Sequence, residues 1–176
     1  IYYVHETDVR PKFVKFIFRA VIERVSDKVI FVSRFLFDKE KFNRPNQSVI
    51  NPGTADLGLQ SESQLVEKFV SRRVLFVGSL RYFKGADTFL KLAEQLPDLK
   101  FNMALNASDA ELLSYKNTHF VPENVVFFSR PDNLVEMYQG SILCLNLTNP
   151  RLVSETFGMT LIEAMSGYTP VIAPPA

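Results

Sequence analysis

The sequence predicts an α/β fold in which a Rossmann-like parallel sheet carries helices on both faces. Short apolar runs of strand length alternate along the chain with segments of helical spacing. Most of these runs are apolar without interruption, as expected for strands that are buried on both faces. The chain has 176 residues, enough for one domain with a sizeable core or for one domain and part of a second.

The elements can be placed in order from these patterns. The runs predicted as strands are residues 1–4, 29–32, 48–50, 74–77, 101–105, 125–128, 142–147 and 170–173. The segments predicted as helices are residues 11–25, 86–95, 110–115, 133–138 and 158–165. Pro11 suits a first-turn position, and Ser108 and Asp132 suit N-cap positions. From residue 74 onward strands and helices alternate, and right-handed crossovers wind such a chain into one parallel sheet.

A break in this pattern divides the chain near residue 52. Pro52 and Gly53 interrupt the elements, and the polar stretch that continues to Ser71 is predicted to be a connection. We therefore expect residues 1–52 to be the remnant of a first Rossmann-like domain with its crossover. Residues 53–176 are expected to be a second, nearly complete Rossmann-like domain that is truncated at its end.

Composition excludes several classes of protein. Twenty Lys and Arg residues balance nineteen Asp and Glu residues, which leaves a net charge of +1, and 47% of the residues are hydrophobic. These values exclude a disordered chain and a polycationic tail, so we expect no nucleic-acid partner. No apolar run approaches the length of a membrane span, and the single cysteine, Cys144, cannot form an internal disulfide. We expect a cytoplasmic location.

The first predicted helix leaves contact with a membrane open. Its sequence places Lys12, Lys15, Arg19 and Glu23 on one stripe, with apolar residues around the rest of the helix. A basic amphipathic helix of this kind can lie on a membrane surface, which would make the protein peripheral at the inner membrane face. We favour a domain helix whose apolar arc faces a core and whose charged stripe faces water.

The strongest site signal follows the seventh predicted strand. A loop carrying Glu155 leads into the last predicted helix, and Glu163 lies further along that helix. The first backbone N–H groups of the helix, at Gly158, Met159 and Thr160, are expected to be unpaired and to form a site suited to phosphate. The Glu163 carboxylate could accept hydrogen bonds from two ribose hydroxyls. Taken alone, acidic groups near a helix start are more typical of surface or capping positions, and this alternative stays open.

Residues 154–165, followed by Pro-Val-Ile-Ala at 170–173, resemble the signature of the retaining family four glycosyltransferases with the two-Rossmann-domain (GT-B) fold. Two glutamates of that signature are separated by seven residues, as Glu155 and Glu163 are here. The resemblance implies that Glu163 holds the donor ribose and that Glu155 is catalytic, acting on the sugar or its phosphate. The residues between them that we expect at the donor are Phe157, Gly158, Met159 and Thr160.

Residues 77–85 resemble the same family's glycine turn after the first strand of the nucleotide-binding domain. Lys84 falls on the lysine that holds the donor diphosphate. A cation there offsets charge that develops on the departing diphosphate, so its contribution grows during the reaction. Gly78, Ser79 and Arg81 belong to this turn and are expected to bind the donor. Taken alone, a lysine in such a turn is more typical of a solvated surface group.

The resemblance extends into the first part of the chain. Residues 26–33 resemble the aspartate-strand-serine segment that ends the first domain, and residues 49–53 resemble the crossing into the second. Residues 2–6 resemble the strand whose histidine faces the donor sugar across the cleft, which implies a catalytic role for His5. A histidine after an apolar strand is otherwise most often a satisfied hydrogen-bonding residue.

The sequence also departs from the family. Ser79 stands where the family usually has arginine, which removes one cation from the diphosphate clamp, and Arg81 is the nearest substitute. Residues 105–108 lack the glycine-rich turn that often follows the next strand. Most of the acceptor domain and the paired glycines that commonly follow Pro-Val-Ile-Ala are expected outside this chain. We therefore do not expect these residues alone to catalyse transfer.

The sequence contains no Asp-x-Asp pair and no cluster of His, Cys, Asp and Glu with metal-ligand spacing, so we expect neither a metal ion nor a cofactor. The Gly-x-Gly-x-x-Gly fingerprint and the phosphate loop of NTPases are also absent, which disfavours a dehydrogenase or an ATPase.

We predict a retaining, metal-independent glycosyltransferase that transfers a sugar from a nucleoside diphosphate sugar to an acceptor such as a glycan or a lipid. Two alternatives stay open. One is a non-catalytic module that binds a sugar nucleotide or a partner protein on the same fold, which the serine at position 79 supports. The other is an epimerase acting on nucleotide sugars, for which the glutamate spacing would be coincidental.

Overall fold

The structure is a computed structural model that describes residues 1–5, 11–43, 46–55, 57–58, 60–153 and 158–175. The described residues form two compact units. Ile1–Gly53 belongs to one unit, together with Gly158, and Thr54–Val153 belongs to the other, together with residues 159–175. Each unit is built on parallel strands joined through helices, which confirms the predicted α/β class.

The first unit holds a three-stranded parallel sheet in the order β1-β2-β3. Its elements are β1 (Tyr2–Val4), α1 (Lys12–Val25), β2 (Val29–Phe31), α2 (Arg34–Glu40) and β3 (Gln47–Val49). The central strand β2 is buried along its whole length, and Ile22 and Leu36 pack in the same core. Helix α2 was not predicted. It begins after Ser33, whose side chain accepts a hydrogen bond from the Leu36 N–H.

Helix α1 does not have the orientation that we favoured, in which its apolar arc faces the core and its charged stripe faces water. Lys15 and Arg19 bind the carboxylate of Glu40 at the end of α2, at 2.6 and 3.2 Å. Because that carboxylate is buried, it requires cationic partners, and these draw the charged stripe inward. The large apolar residues of α1 that are exposed in this unit are Phe13, Phe16, Ile17, Phe18, Val21 and Val25. Within the described ranges no helix is long and apolar enough to cross a membrane.

The second unit contains five parallel strands in the order β6-β5-β4-β7-β8. Its elements are α3 (Glu62–Ser71), β4 (Arg73–Gly78), a 3₁₀ turn (Tyr82–Lys84), α4 (Ala86–Gln95), β5 (Lys100–Leu105), α5 (Asp109–Thr118), β6 (Val125–Ser129), α6 (Leu134–Gln139), β7 (Leu143–Leu145), α7 (Met159–Ser166) and β8 (Val171–Ile172). All strands and helices predicted beyond residue 73 are present. Ser108 caps α5 as expected, whereas α6 begins after Asn133 rather than Asp132.

Two cores cover this sheet, one on each face. Phe76, Phe89 and Met103 belong to the core formed with α4 and α5. On the other face, Leu75 and Cys144 pack with Tyr138 of α6 and with a residue of α7. Leu75 and Phe76 are neighbours in β4 and point to opposite faces, as strand geometry requires. Burial on both faces explains the uninterrupted apolar runs in the sequence.

The predicted connection through Ser71 is wrong in its second half, where the chain forms α3. Ser61 caps this helix: its hydroxyl accepts from the Gln64 N–H at 3.3 Å, while the Gln64 side chain accepts from the Ser61 N–H at 2.8 Å. The helix is docked through Lys68, which is 3% exposed and donates to the carbonyl of Tyr168 at 2.8 Å. Burial lowers the pKa of Lys68.

Replacing Ser61 should weaken α3 measurably. Ser61→Ala removes the acceptor of the cap and should cost about 1 kcal/mol of unfolding free energy. Ser61→Asp retains a capping oxygen and serves as the matched control, with little change expected. Urea unfolding followed by circular dichroism measures both, and equal midpoints for wild type and Ser61→Ala would contradict the capping role.

Candidate functional site

The strand order reverses at β4, and this reversal positions the candidate site. From β4 the chain first adds β5 and β6 on one side, and then β7 and β8 on the other. Ligands of doubly wound sheets bind outside the carboxyl ends of the strands at such a reversal. The loops that follow β4 and β7 touch there, since the N–H of Asn149 donates to the carbonyl of Phe83 at 2.8 Å.

Gly85 permits this close approach. Its φ is +85°, and a Cβ at this position would overlap the carbonyl oxygen and the Cβ of Leu147. A residue with a side chain could therefore occupy position 85 only if the loop after β7 moved away. The packing of Gly85 against Leu147 holds the preceding residue, Lys84, in a defined place beside the carboxyl ends of β4 and β7.

A cavity of about 760 Å³ opens at this edge of the sheet. Three residues of the predicted glycine turn, Ser79, Arg81 and Lys84, line it. The other lining residues come from the same turn, the loop after β5 and helix α5: Leu80, Phe83, Asn106, Ala107, Glu111, Ser114, Tyr115 and Thr118. Gly78 ends β4, and its carbonyl accepts from the N–H of Asn106 at 2.8 Å, which joins the two loops.

The charged groups of this cavity favour an anionic ligand. Arg81 and Lys84 contribute two cations, and Glu111 contributes the single carboxylate among the lining residues. That carboxylate accepts from the N–H and the hydroxyl of Ser108, both at 2.7 Å, as part of the α5 cap. The backbone hydrogen bond, followed by the hydroxyl, lowers the pKa of Glu111. Glu111 is therefore ionised at neutral pH and committed to the helix cap.

Sequence reasoning missed Tyr115, which joins α5 to the start of α4. Its hydroxyl donates to Asp87 Oδ1 at 2.6 Å, and its ring stacks on His119 with ring centroids 4.0 Å apart. Burial, and then the hydrogen bond to Asp87, raise the pKa of Tyr115. Asp87 lies two residues after Gly85, so this contact supports the turn that carries Lys84. Residue spacing alone contains no signal for a pair 28 positions apart.

Glu163 lies on α7 and faces α6 and β7. Its Oε2 atom accepts a hydrogen bond from the hydroxyl of Tyr138 at 2.8 Å. Burial raises the pKa of the Cys144 thiol to about 12, and the charge of Glu163 adds to this shift. Glu163 is not among the residues that line the cavity beside Lys84.

The remaining predicted residues are placed as follows. His5 belongs to the first unit and is exposed, with its ring centroid 6.3 Å from that of Tyr3. At the start of α7, Gly158 is buried with a φ of +71°, Met159 is exposed and Thr160 is half-buried. Glu155 and Phe157 lie outside the described residues.

A larger cavity of about 1000 Å³ lies elsewhere in the second unit. Its lining includes Arg73, Lys100 and Asn124 at the amino ends of β4, β5 and β6, together with residues of α6. It contains none of the predicted site residues. Since parallel sheets bind ligands at the carboxyl ends of their strands, we take the smaller cavity as the candidate site.

No group of three His, Cys, Asp or Glu side chains capable of holding a metal ion is found in the part of the chain that the structure describes. Metal independence stays a prediction.

The sheet and its reversal define the second unit as a doubly wound, Rossmann-like fold. Residues 62–175 match the family model described as "Glycosyl transferases group 1". This match covers more than half of the chain, which therefore belongs to the group 1 glycosyl transferases.

Curated relatives agree with this family. The alpha-galactosylglucosyldiacylglycerol synthase of Streptococcus pneumoniae is 30% identical over 176 aligned residues, covering 96% of this chain and 43% of the relative. The D-inositol 3-phosphate glycosyltransferase of Mycolicibacterium vanbaalenii is 31% identical over 120 residues, covering 58% of this chain and 26% of the relative. The chain thus spans less than half the length of these relatives.

Solved structures share the fold. The HepE protein of Anabaena, crystallised in complex with UDP, aligns with a TM-score of 0.77 at 19% identity, covering 98% of this chain and 52% of that one. A glycosyltransferase from Rickettsia africae ESF-5 aligns with a TM-score of 0.66 at 18% identity, covering 97% of this chain and 50% of that one. The predicted GT-B type of fold is confirmed.

Substitution of Gly85 should be poorly tolerated. Gly85→Ala introduces a Cβ at positive φ against the backbone of Leu147, and we expect a loss of about 2 kcal/mol or more of unfolding free energy. Gly53→Ala is the matched control, because a Cβ at Gly53 meets no atom within 4 Å. Urea unfolding measures both variants. Equal stability of Gly85→Ala and wild type would show that the two loops do not depend on this contact.

The Cys144 thiol should resist modification in the folded protein. Burial and a raised pKa keep it protonated at pH 8, and the thiolate is the reactive form. Because Cys144 is the single cysteine, a chromogenic thiol reagent reports on it alone. We expect negligible labelling without denaturant and complete labelling in urea. Rapid labelling of the folded protein would contradict the observed packing of β7.

Proposed function

We propose that this chain forms the donor-binding part of a retaining glycosyltransferase that uses a nucleoside diphosphate sugar. The observation that carries the proposal is the cavity at the strand-order reversal, which two cations from the predicted glycine turn line. Membership of the group 1 glycosyl transferases supports sugar transfer as the reaction. The fold shared with a protein crystallised with UDP supports a nucleotide as ligand.

In this proposal the diphosphate lies beside Lys84. Arg81 supplies the second cation that the serine at position 79 does not, and both line the same cavity. Backbone N–H groups at Gly158 and Met159 add donors at the positive end of the α7 dipole. Glu163 accepts hydrogen bonds from the ribose hydroxyls. These contacts would orient the bond between the sugar and the phosphate toward the acceptor.

The chemistry requires stabilisation of the leaving group more than a protein nucleophile. In a front-face displacement the acceptor oxygen bonds to the anomeric carbon on the side from which the phosphate departs. The bond between that carbon and the phosphate oxygen breaks, its electron pair goes to the nucleoside diphosphate, and the acceptor proton passes to the leaving phosphate. Lys84 and Arg81 would stabilise the charge that develops there without a metal ion.

The roles proposed for Glu155 and His5 concern the transferred sugar. Glu155 would contact the sugar or its phosphate, and His5 would contact the sugar. Both roles come from the motif resemblance described above. We propose that the acceptor is held mainly by parts of the protein outside these residues.

We propose a membrane glycolipid as the acceptor. The relative from Streptococcus pneumoniae, which aligns over 96% of this chain, carries a diacylglycerol product in its name. An acceptor of this kind would favour a cytoplasmic enzyme that is peripheral at the inner membrane face. Radiolabelled transfer by the full-length protein, with glycosyldiacylglycerol and a water-soluble polyol compared as acceptors, tests this choice.

The serine at position 79 favours one alternative, a non-catalytic module that binds sugar nucleotides. It leaves the family's usual clamp one cation short. Release of nucleoside diphosphate by the full-length protein only in the presence of an acceptor would exclude this module. It would also exclude an epimerase, which needs no acceptor.

Replacing Lys84 tests the proposed diphosphate site. A charge-assisted hydrogen bond contributes about 1.5 to 3 kcal/mol, so Lys84→Ala should weaken UDP or GDP binding roughly ten- to a hundredfold. Lys91→Ala is the matched control, because Lys91 is exposed on α4 and does not line the cavity. Isothermal titration calorimetry measures all three proteins. Unchanged affinity in Lys84→Ala would remove Lys84 from the donor site.

A further inference from the structure

We propose that Tyr138 is a positioning residue that holds the Glu163 carboxylate in place for the donor ribose. This inference rests on the proposed function, because it assumes that Glu163 binds the nucleotide. Tyr138 lies on α6, is 2% exposed and cannot itself reach a ligand in solvent without rearrangement. It would act through Glu163, to which its hydroxyl donates at 2.8 Å.

The hydrogen bond engages one carboxylate oxygen and leaves the other available. Tyr138 binds Oε2 of Glu163, while Oε1 has no partner among the residues that the structure describes. Glu163 itself is half-buried on α7. A carboxylate anchored through one oxygen presents the second in a fixed direction, as expected of a preorganised binding group.

The position of Tyr138 is fixed by a second set of contacts at its backbone. The hydroxyl of Thr169, in the turn after α7, donates to the Tyr138 carbonyl. The ammonium group of Lys68 donates to the Thr169 hydroxyl at 2.9 Å and to the carbonyl of Tyr168 at 2.8 Å. Helix α3 and the turn between α7 and β8 therefore hold the helix segment from which the Tyr138 side chain projects.

The protonation state of Tyr138 suits this role. Burial raises the pKa of its phenol, and the hydrogen bond to Glu163 and the charge of that carboxylate raise it further. The phenol therefore keeps its proton at neutral pH, and it can act only as the donor toward the carboxylate.

Removal of this hydroxyl should weaken nucleotide binding without abolishing it. In Tyr138→Phe the carboxylate of Glu163 would sample several rotamers and would have to be immobilised when the ligand binds. We expect about two- to tenfold weaker binding of UDP or GDP. Glu163→Gln should weaken binding more, roughly ten- to a hundredfold, because it removes the charge itself.

A double-mutant cycle tests whether Tyr138 acts through Glu163. Titration calorimetry with UDP and GDP is carried out on wild type, Tyr138→Phe, Glu163→Gln and the double variant. We expect the double variant to bind no more weakly than Glu163→Gln, because the hydroxyl has nothing to position once the carboxylate is gone. Ser141→Ala is the matched control: it removes another buried hydroxyl bond of this region, to the Met137 carbonyl at 2.7 Å. It should lower the melting temperature and leave affinity unchanged.

The outcomes separate this inference from the proposed function. If wild type binds neither nucleotide, or if Glu163→Gln binds as wild type does, the proposed role of Glu163 fails. If Glu163→Gln loses affinity while Tyr138→Phe does not, the role of Tyr138 is wrong and the donor site stands. Additive losses in the cycle would also overturn the role, since Tyr138 would then act independently of Glu163.

If Tyr138→Phe fails to fold, the wild-type protein still decides the question. Tyrosine labelled with ¹³C at the Cζ atom gives a signal for Tyr138, identified by its shift in Glu163→Gln. Saturation with the nucleotide that binds should move this signal, because the ligand draws charge from the carboxylate that the phenol contacts. An unchanged signal at saturation would overturn the inference.

Discussion

The contact between the loops after β4 and β7 is the constraint on which the candidate site depends. The strand order reverses at β4, so these two loops meet at one edge of the sheet, and Gly85 lets them meet without an intervening side chain. The hydrogen bond from Asn149 to Phe83 closes the same contact. Lys84 directly precedes Gly85 in the chain and lines the cavity. The position of this cation is therefore set by the strand order of the sheet and by one glycine.

Two carboxylates of the second unit are held by hydrogen bonds within the protein before any ligand binds. Glu111 is held by the cap of α5, and Glu163 is held by Tyr138 through one oxygen. Arg81 and Lys84 are the cations of the cavity lining. Preorganised groups of this kind lose little freedom on binding and can stabilise charge that develops during a reaction. The donor site proposed here would use such groups in place of a metal ion, with Lys84 and Glu163 acting on different parts of one nucleotide.

Local patterns in the sequence were sufficient to predict most helices and strands. They did not reveal contacts between residues that are far apart in the chain. Helix α4 begins and ends where its spacing predicts, and Ser108 caps α5 as its chemistry predicts. The cap at Ser61 was visible in the sequence but lay within a polar stretch that resembled a loop. The orientation of α1 depends on Glu40, which is more than 20 positions from the two cations that it binds. The pairing of Tyr138 with Glu163 likewise appears only once the strand order brings α6 and α7 together.

The predicted site was recovered from the sequence only where its residues belong to one motif. The glycine turn places Ser79, Arg81 and Lys84 in the same cavity, while the roles of His5, Glu155 and Phe157 stay predictions.

A crystal structure of the full-length protein with bound UDP would show whether Lys84 and Glu163 bind the donor. The diphosphate should lie at the carboxyl ends of β4 and β7, within hydrogen-bond distance of Lys84 Nζ, with the ribose at Glu163. A nucleotide bound instead in the larger cavity at the amino ends of β4, β5 and β6, or one that contacts neither Lys84 nor Glu163, would overturn the proposed donor site.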